Sequence, residues 1–492
     1  MEYLYPDDSL ILHTDAYELT MMQTYWKQGI GDRKAVFEAF FRKMPFKNGY
    51  AVFAGLSRII EYLKNLRFTA TDIEYLRSTG MFDPAFLDYL ADFKFQGTLR
   101  SVVEGELVFN HEPILQVEGN LLETSLVETA LLNVINFQIM IATKASRVKS
   151  VVGDQLLMEF GTRRAQEFDA ALWGTRAAYI GGFDATSNVR AGKLFGIPIS
   201  GTHAHALVQT YRDEYTAFKA YAQTHHDCVF LVDTFDTLKS GVPTAIRVAK
   251  EFGDRINFQG VRIDSGDMAY LSKQVRKMLD EAGFPEAKIF ASNDLDEKTI
   301  QNLKMQGAKI DAWGVGTKLI TSYDQPTLGA VYKLVSVEND QGEMVETMKL
   351  SNNVTKVSTP GKHQVWRITD RADGKSEGDY VTLADEDPRQ LDSLYMFDPQ
   401  FTFLHKTVKD FVARPLLQDI FVDGELVYDE PSLDEIKHSH QERLNRLWDE
   451  YKRDLNPEVY PVDLSQKCYD NKMALIAQIH DYVQALGEEQ DD

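Results

Sequence analysis

Cysteine is almost missing from this chain. Its two thiols, Cys228 and Cys468, lie far apart and cannot build a disulfide framework, which fits a reducing compartment. Cys228 opens an apolar run, so an inert buried thiol is expected there. Basic residues are also few: 53 stand against 74 acidic ones, for a net charge of −21. A surface of that sign repels nucleic acid and anionic membranes as a whole, leaving only local basic pockets. Long apolar runs are lacking too. The most apolar stretch, 130–142, carries Asn133, Asn136 and Gln138 between Glu128 and Lys144, and reads as a buried helix too short and too polar to span a bilayer. The first residues, MEYLYPDDSL, lack the basic start and apolar core of a secretion signal, so a cytoplasmic location is expected. There is no low-complexity segment, and the acidic end 487–492 is expected to fray.

What is present is enough apolar material, 44% of 492 residues, for two or three packed cores. Three stretches differ in texture. Residues 1–150 mix β-like alternation, near 35–41 and 97–108, with a helical stripe of Leu56, Ile59, Ile60 and Leu63. Residues 151–325 repeat a strand-length apolar run, a polar turn and a helix. The runs are 156–160, 178–183, 197–200, 229–232, 260–263, 288–291 and 310–315, and their starts are 22, 19, 32, 31, 28 and 22 residues apart. That is the size of a strand with its crossover helix, and it implies a parallel sheet, closed into a barrel or doubly wound. Residues 326–492 begin β-rich and end in two amphipathic helices, near 433–451 and 467–486, expected to pack on the first two stretches.

Polar residues gather just after the strand-like runs: Gly161-Thr-Arg-Arg164, Asp184, Thr202-His-Ala-His205, Asp233 with Asp236, Arg262 with Asp264-Ser-Gly-Asp267, Asn293-Asp294 and Gly314-Val-Gly-Thr-Lys318. In a β/α barrel such positions share one rim, so residues distant in sequence converge on one site. Helix caps account for some of the Asp, Ser and Thr residues but not for three arginines and a histidine pair. Arg163, Arg164, Arg262 and Lys318 suit a phosphate or carboxylate in an otherwise acidic protein, and Gly316 and Thr317 can offer backbone N–H groups to a phosphate. Asp264 is the candidate Mg²⁺ contact for a pyrophosphate substrate, and Asp267 is expected to be a helix cap. His203 and His205 have no third ligand at zinc spacing. Alternation should point one ring into the pocket and one away.

Six segments in order resemble the nicotinate phosphoribosyltransferase family: Thr14-Asp-Ala-Tyr17, Phe160-Gly-Thr-Arg-Arg-Ala165, Gly181-Gly-Phe-Asp-Ala-Thr-Ser-Asn188, Gly201-Thr-His-Ala-His205, Val261-Arg-Ile-Asp-Ser-Gly-Asp267 and Pro360-Gly-Lys-His-Gln-Val365. The resemblance implies an irregular β/α barrel of the type II phosphoribosyltransferase kind, an α/β N-terminal domain, a C-terminal β-rich and helical region, and a homodimer with shared sites. It also implies a reaction in which nicotinate and phosphoribosyl pyrophosphate give nicotinate mononucleotide and pyrophosphate, while ATP, with Mg²⁺, is hydrolysed through a phosphohistidine. By that resemblance His205 is phosphorylated and Asp233 orients it. Phe160 and a partner subunit's Tyr17 sandwich the pyridine. Arg163, Thr202 and Arg262 contact nicotinate or the phosphoribosyl group, and Gly316 and Thr317 hold the 5′-phosphate. Asp184 is assigned to the substrate site, although its charge suits an amide better than a carboxylate. The rival expectations are a nicotinamide phosphoribosyltransferase and a non-catalytic nucleotide-binding dimer.

Overall fold

The computed structural model describes residues 9–351 and 357–488. The chain's first residues, and the acidic end beyond 488 expected to fray, lie outside that range. The chain forms two compact units: Met1–Ile139 together with Thr327–Asp492, and Met140–Pro326.

The first unit is built on a seven-stranded sheet whose order is 344–346, 330–338, 34–41, 115–120, 98–101, 418–422 and 425–426. Strand Lys34–Phe41 lies antiparallel to both Ala330–Glu338 and Leu115–Asn120, so the stretches read separately as 1–150 and 326–492 share one sheet. A second sheet of the same unit runs 411–415, 363–370, 376–383 and 462–464. The apolar stretch read as a short buried helix belongs to a longer one, Glu128–Val152, that extends past the apolar run at both ends. Its length and composition would allow a membrane span, yet Leu131, Ile135, Ile139, Ile141, Ala145 and Val148 are all buried, as in a core helix.

The second unit carries six parallel strands: β1 (Leu156–Glu159), β2 (Ala185–Thr186), β3 (Asp227–Leu231), β4 (Asn257–Ile263), β5 (Lys288–Asn293) and β6 (Ala312–Val315), in the order β2-β1-β6-β5-β4-β3. This is a half-barrel of parallel strands within a mixed α/β protein. The expected run at 178–183 is not a strand. It ends the helix Glu167–Ile180, whose residues from Ala171 onward are buried on every side and so lack the polar stripe that marks a surface helix. The strand comes a few residues later, at β2. The run at 197–200 contributes one parallel bridge, Ile199 to Thr186, and no ladder.

Alternation along the strands sends Met158, Ala185, Val229, Phe290 and Ala312 into a shared apolar cluster, against which Leu156 and Phe160 pack. The crossover helix Val242–Phe252 stops at Gly253, and Met268–Glu281 begins at Asp267, the expected cap, whose carboxylate accepts from Tyr270 N at 2.9 Å. Cys228 is fully buried, and burial pushes its thiol up to about 11, well away from reactivity.

Candidate active site

The chain leaves β1 through Phe160 and Gly161, and a buried carboxylate holds this turn. Glu159 accepts the hydroxyls of Thr186 at 2.6 Å and Thr175 at 3.0 Å, and also the Gly161 N–H. Burial raises the Glu159 pKa against the pull of these bonds. Sequence reading missed Glu159, although it directly precedes Phe160. The Phe160 ring lies against Gly314 of β6, where a Cβ would stand 2.5 Å from Phe160 Cδ2, so only glycine leaves the ring its place.

From Phe160 the C-terminal ends of the strands enclose a cavity of about 430 Å³. Arg163, Thr202, His205, Arg262, Asp264, Gly316 and Thr317 line it. A second cavity of about 450 Å³ reaches into the half-barrel and shares Phe160, Gly201, Thr202, Arg262, Ser292 and Gly314 with the first. The rim therefore continues inward along Leu156, Met158, Val229 and Phe290. A flat ring can lie inside, beside Phe160, while anionic groups stay at the mouth.

Arg262 is the main cation at this junction. It sits in register with Leu231 of β3 and Phe290 of β5, and its Nη1 donates to Thr202 Oγ1 at 2.7 Å. Its buried Nε has no partner. Burial lowers its pKa most, Asp264 and Asp233 oppose that, and Arg163 lowers it further. Two neighbouring guanidinium groups with an unused N–H suit a bidentate anion such as a carboxylate or phosphate.

Both histidines border the cavity, but they differ in burial and partners. His203 is 7% exposed, and its Nε2 accepts Leu231 N at 3.1 Å, so that nitrogen carries no proton. Burial pushes its pKa down to about 4. This ring is a structural acceptor. His205 opens the helix His205–Tyr211 and is partly exposed in the cavity. Its Nδ1 lies 3.0 Å from Thr234 Oγ1 and its Nε2 3.7 Å from Asp264 Oδ2. Thr234 was hidden in the sequence behind its neighbour Asp233.

Asp233 does not hold the His205 ring here. Its Oδ2 accepts Asp264 N at 3.0 Å and the Ser265 hydroxyl at 2.5 Å, and its buried Oδ1 has no partner. It braces the loop that presents Asp264. Asp184 is likewise not in the cavity: its Oδ2 accepts Leu157 N at 3.0 Å and meets Lys149 Nζ at 3.3 Å. Lys318 is engaged elsewhere too, on Asp296 Oδ2 at 3.0 Å, and Asp236 caps its own turn through Leu238 N and Lys239 N. Position after a strand gave the rim, but not the direction of each side chain. Tyr17 belongs to the first unit, where it is 49% exposed near the start of the helix Ala16–Lys27.

Comparison with known proteins identifies the family. Family models described as the nicotinate phosphoribosyltransferase N-terminal domain, family and C-terminal domain match residues 12–136, 155–382 and 362–472. The chain is 60% identical over 490 residues to a nicotinate phosphoribosyltransferase of Bacillus subtilis, covering 100% of both chains. It is 34% identical to one from Caenorhabditis elegans, covering 94% of this chain and 93% of that one. Among solved structures, human nicotinic acid phosphoribosyltransferase matches with a TM-score of 0.83 at 30% identity, covering 94% of this chain and 99% of that one. The chain belongs to the nicotinate phosphoribosyltransferase family.

Proposed function

We propose that this enzyme joins nicotinate to phosphoribosyl pyrophosphate, giving nicotinate mononucleotide and pyrophosphate for NAD synthesis, and that it couples this to ATP hydrolysis through phosphorylation of His205. The family's irregular barrel is the frame we assume, with the six-stranded half-barrel as its regular part. The observation that carries the reading is the Arg163–Arg262 pair at the mouth of a cavity whose inner wall is the Phe160 ring.

Breaking the C1–pyrophosphate bond builds positive charge on the sugar, so catalysis consists of positioning and of stabilising the leaving anion. The pyridine stacks on Phe160 with its carboxylate toward the arginines and its nitrogen toward C1. Gly316 and Thr317 receive the 5′-phosphate. The partner's Tyr17 closes the other face of the ring in a homodimer.

Asp264 is partly exposed at this mouth, and among the described residues no group of three His, Cys, Asp or Glu side chains could form a metal cage. One carboxylate and a bound polyphosphate are the setting that Mg²⁺ prefers, and the ion would neutralise charge on the phosphates. At His205, an Nδ1–H donating to Thr234 leaves the lone pair on Nε2. Nε2 attacks the γ-phosphorus of ATP, the bond to the β-bridging oxygen breaks, and ADP leaves. Water later cleaves the N–P bond to release phosphate. The phosphoryl group changes the site's charge, and with it the affinity for substrates and products.

Two measurements test this. The enzyme offered equal nicotinate and nicotinamide should yield nicotinate mononucleotide almost alone, and a main product of nicotinamide mononucleotide would overturn the substrate. With γ-labelled ATP, an acid-labile, base-stable label should appear in the native enzyme and in His203→Ala but not in His205→Ala. A label retained by His205→Ala would overturn the coupling.

A further inference from the structure

The first unit encloses a cavity of about 450 Å³, lined from strand 34–41, the 111–113 and 357–363 segments, and one face of the helix Gln466–Glu488. Three of its side chains are basic and largely withdrawn from water: His111, His363 and Lys472. The acid among the described lining residues is Glu38, and it is already engaged. Its Oε2 lies 2.8 Å from His363 Nδ1, while its Oε1 accepts His363 N at 3.0 Å and Gln116 Nε2 at 2.8 Å.

The other polar atoms are under-used. His363 Nε2 is buried and meets no nitrogen or oxygen partner, with the Cys468 sulfur beside the ring. Among the described residues Lys472 Nζ makes one long hydrogen bond, 3.4 Å to Thr359 Oγ1, and no ion pair. Burial lowers the Lys472 pKa. Burial also lowers that of His111, helped by Lys472 and Arg42, with Asp398 opposing. At His363 burial acts in the same direction, but Glu38 and the Cys468 sulfur outweigh it and hold the ring well above its usual value. Lys472 and Arg42 thus press like charge onto His111, while Glu38 already balances His363, in a protein whose net charge is −21. A buried cation without a counter-charge is costly, and an anion at this spot removes the cost.

We propose that this cavity is a second anion-binding site, distinct from the half-barrel rim, for an organic phosphate monoester. The phosphate would sit among His111, His363 and Lys472 with the Thr359 hydroxyl as a further donor. A phosphate alone fills a small part of the volume. The rest is walled by Phe40, Val381, Leu464 and Ile476, which suits the base or sugar of a nucleotide.

The test uses the full-length Arg163→Ala/Arg262→Ala protein, in which the rim's two arginine contacts are removed; binding left at the rim through Gly316 and Thr317 would be indifferent to the substitutions below. Equilibrium dialysis with adenosine 5′-monophosphate, and separately with inorganic phosphate, should find one remaining site per chain, with the nucleotide bound at least tenfold more tightly. Adding Lys472→Met, or independently His111→Asn, should weaken nucleotide binding tenfold or more. Two variants guard against a folding defect in either, and asparagine tolerates the positive φ of 71° at residue 111. Nicotinate transfer by the otherwise native Lys472→Met enzyme should stay within twofold, so a failure here is separable from a failure of the transferase reading. Absence of a residual site, binding indifferent to both variants, or phosphate bound as tightly as the nucleotide would each overturn the proposal.

Discussion

His205 and Asp264 face each other across 3.7 Å, imidazole Nε2 to carboxylate Oδ2, while the other ring nitrogen rests on Thr234 at 3.0 Å. On the proposed coupling, the carboxylate stands where an incoming phosphoryl group and its metal ion would arrive, and an Nδ1–H donated to Thr234 would leave Nε2 free.

Thr234→Val should therefore slow labelling of His205 by ATP without abolishing it. A neutral hydrogen bond contributes about 0.5–1.5 kcal/mol, or roughly a two- to tenfold loss. Quench-flow measurement of labelling checks this, and an unchanged rate would show that Thr234 does not set the tautomer.

Replacing Arg262 should hurt nicotinate far more than it hurts the small basal reaction with nicotinamide. An amide leaves the buried guanidinium unpaired, so the native preference should exceed roughly 100-fold in kcat/KM. In Arg262→Met that ratio should fall by at least about tenfold. Steady-state kinetics with both substrates decide it, and an unaltered ratio would place the carboxylate elsewhere.

Gly314→Ala is a probe of the pyridine floor. The new Cβ would stand 2.5 Å from the Phe160 ring, forcing the ring to move. Overpacking of this kind costs about 1–3 kcal/mol. We expect KM for nicotinate to rise by about five- to 100-fold on that scale. Labelling of His205 should change little. Equal losses in both assays would mean general unfolding rather than a displaced ring.

Tyr17→Ala and His205→Ala chains should each be poorly active alone. Mixed and allowed to exchange, they should recover about a quarter of native activity, because half the dimers are mixed and one of their two sites carries neither lesion. No recovery despite proven exchange would place Tyr17 in its own subunit's site or in its core.

Stability should also follow the protonation of His203. Its folded pKa lies near 4, below the usual 6.5, because burial favours the neutral ring. Between those values the unfolded chain binds a proton that the folded chain does not, so stability falls as pH drops from about 6.5 to about 4. The whole effect is on the order of 3 kcal/mol. Urea unfolding of native enzyme and His203→Gln across this window should show the steeper pH slope in the native enzyme. Parallel slopes would mean that the ring titrates alike in both states.

Much of the site was legible because strand–helix spacing places loop residues on one rim whatever the details of the sheet. That logic found Arg163, Thr202, His205, Arg262, Asp264 and Thr317 together, and the family resemblance added Phe160. It could not tell that Asp184 turns back onto Leu157 N, or that Lys318 closes on Asp296, since spacing carries no side-chain direction. The run at 178–183 misled because a helix buried on all sides and a buried strand are both continuously apolar. The sharing of one sheet between the two ends of the chain was invisible for another reason. Pairing such as Phe41 with Ala330 leaves no local trace.

That pairing sets an order of events during synthesis. Strand 34–41 emerges early, and 115–120 can cover one of its edges soon afterward, but the partner for its other edge ends only at residue 338. At ribosomal speeds of 5–20 residues per second the wait is about 15–60 s. The contiguous unit 140–326 is completed within that interval. Any nascent chain between 41 and 338 residues long carries a bare, apolar strand edge, the kind of surface that pairs with neighbours. Polysomes translating this message are therefore where aggregation, and a need for chaperones, should concentrate.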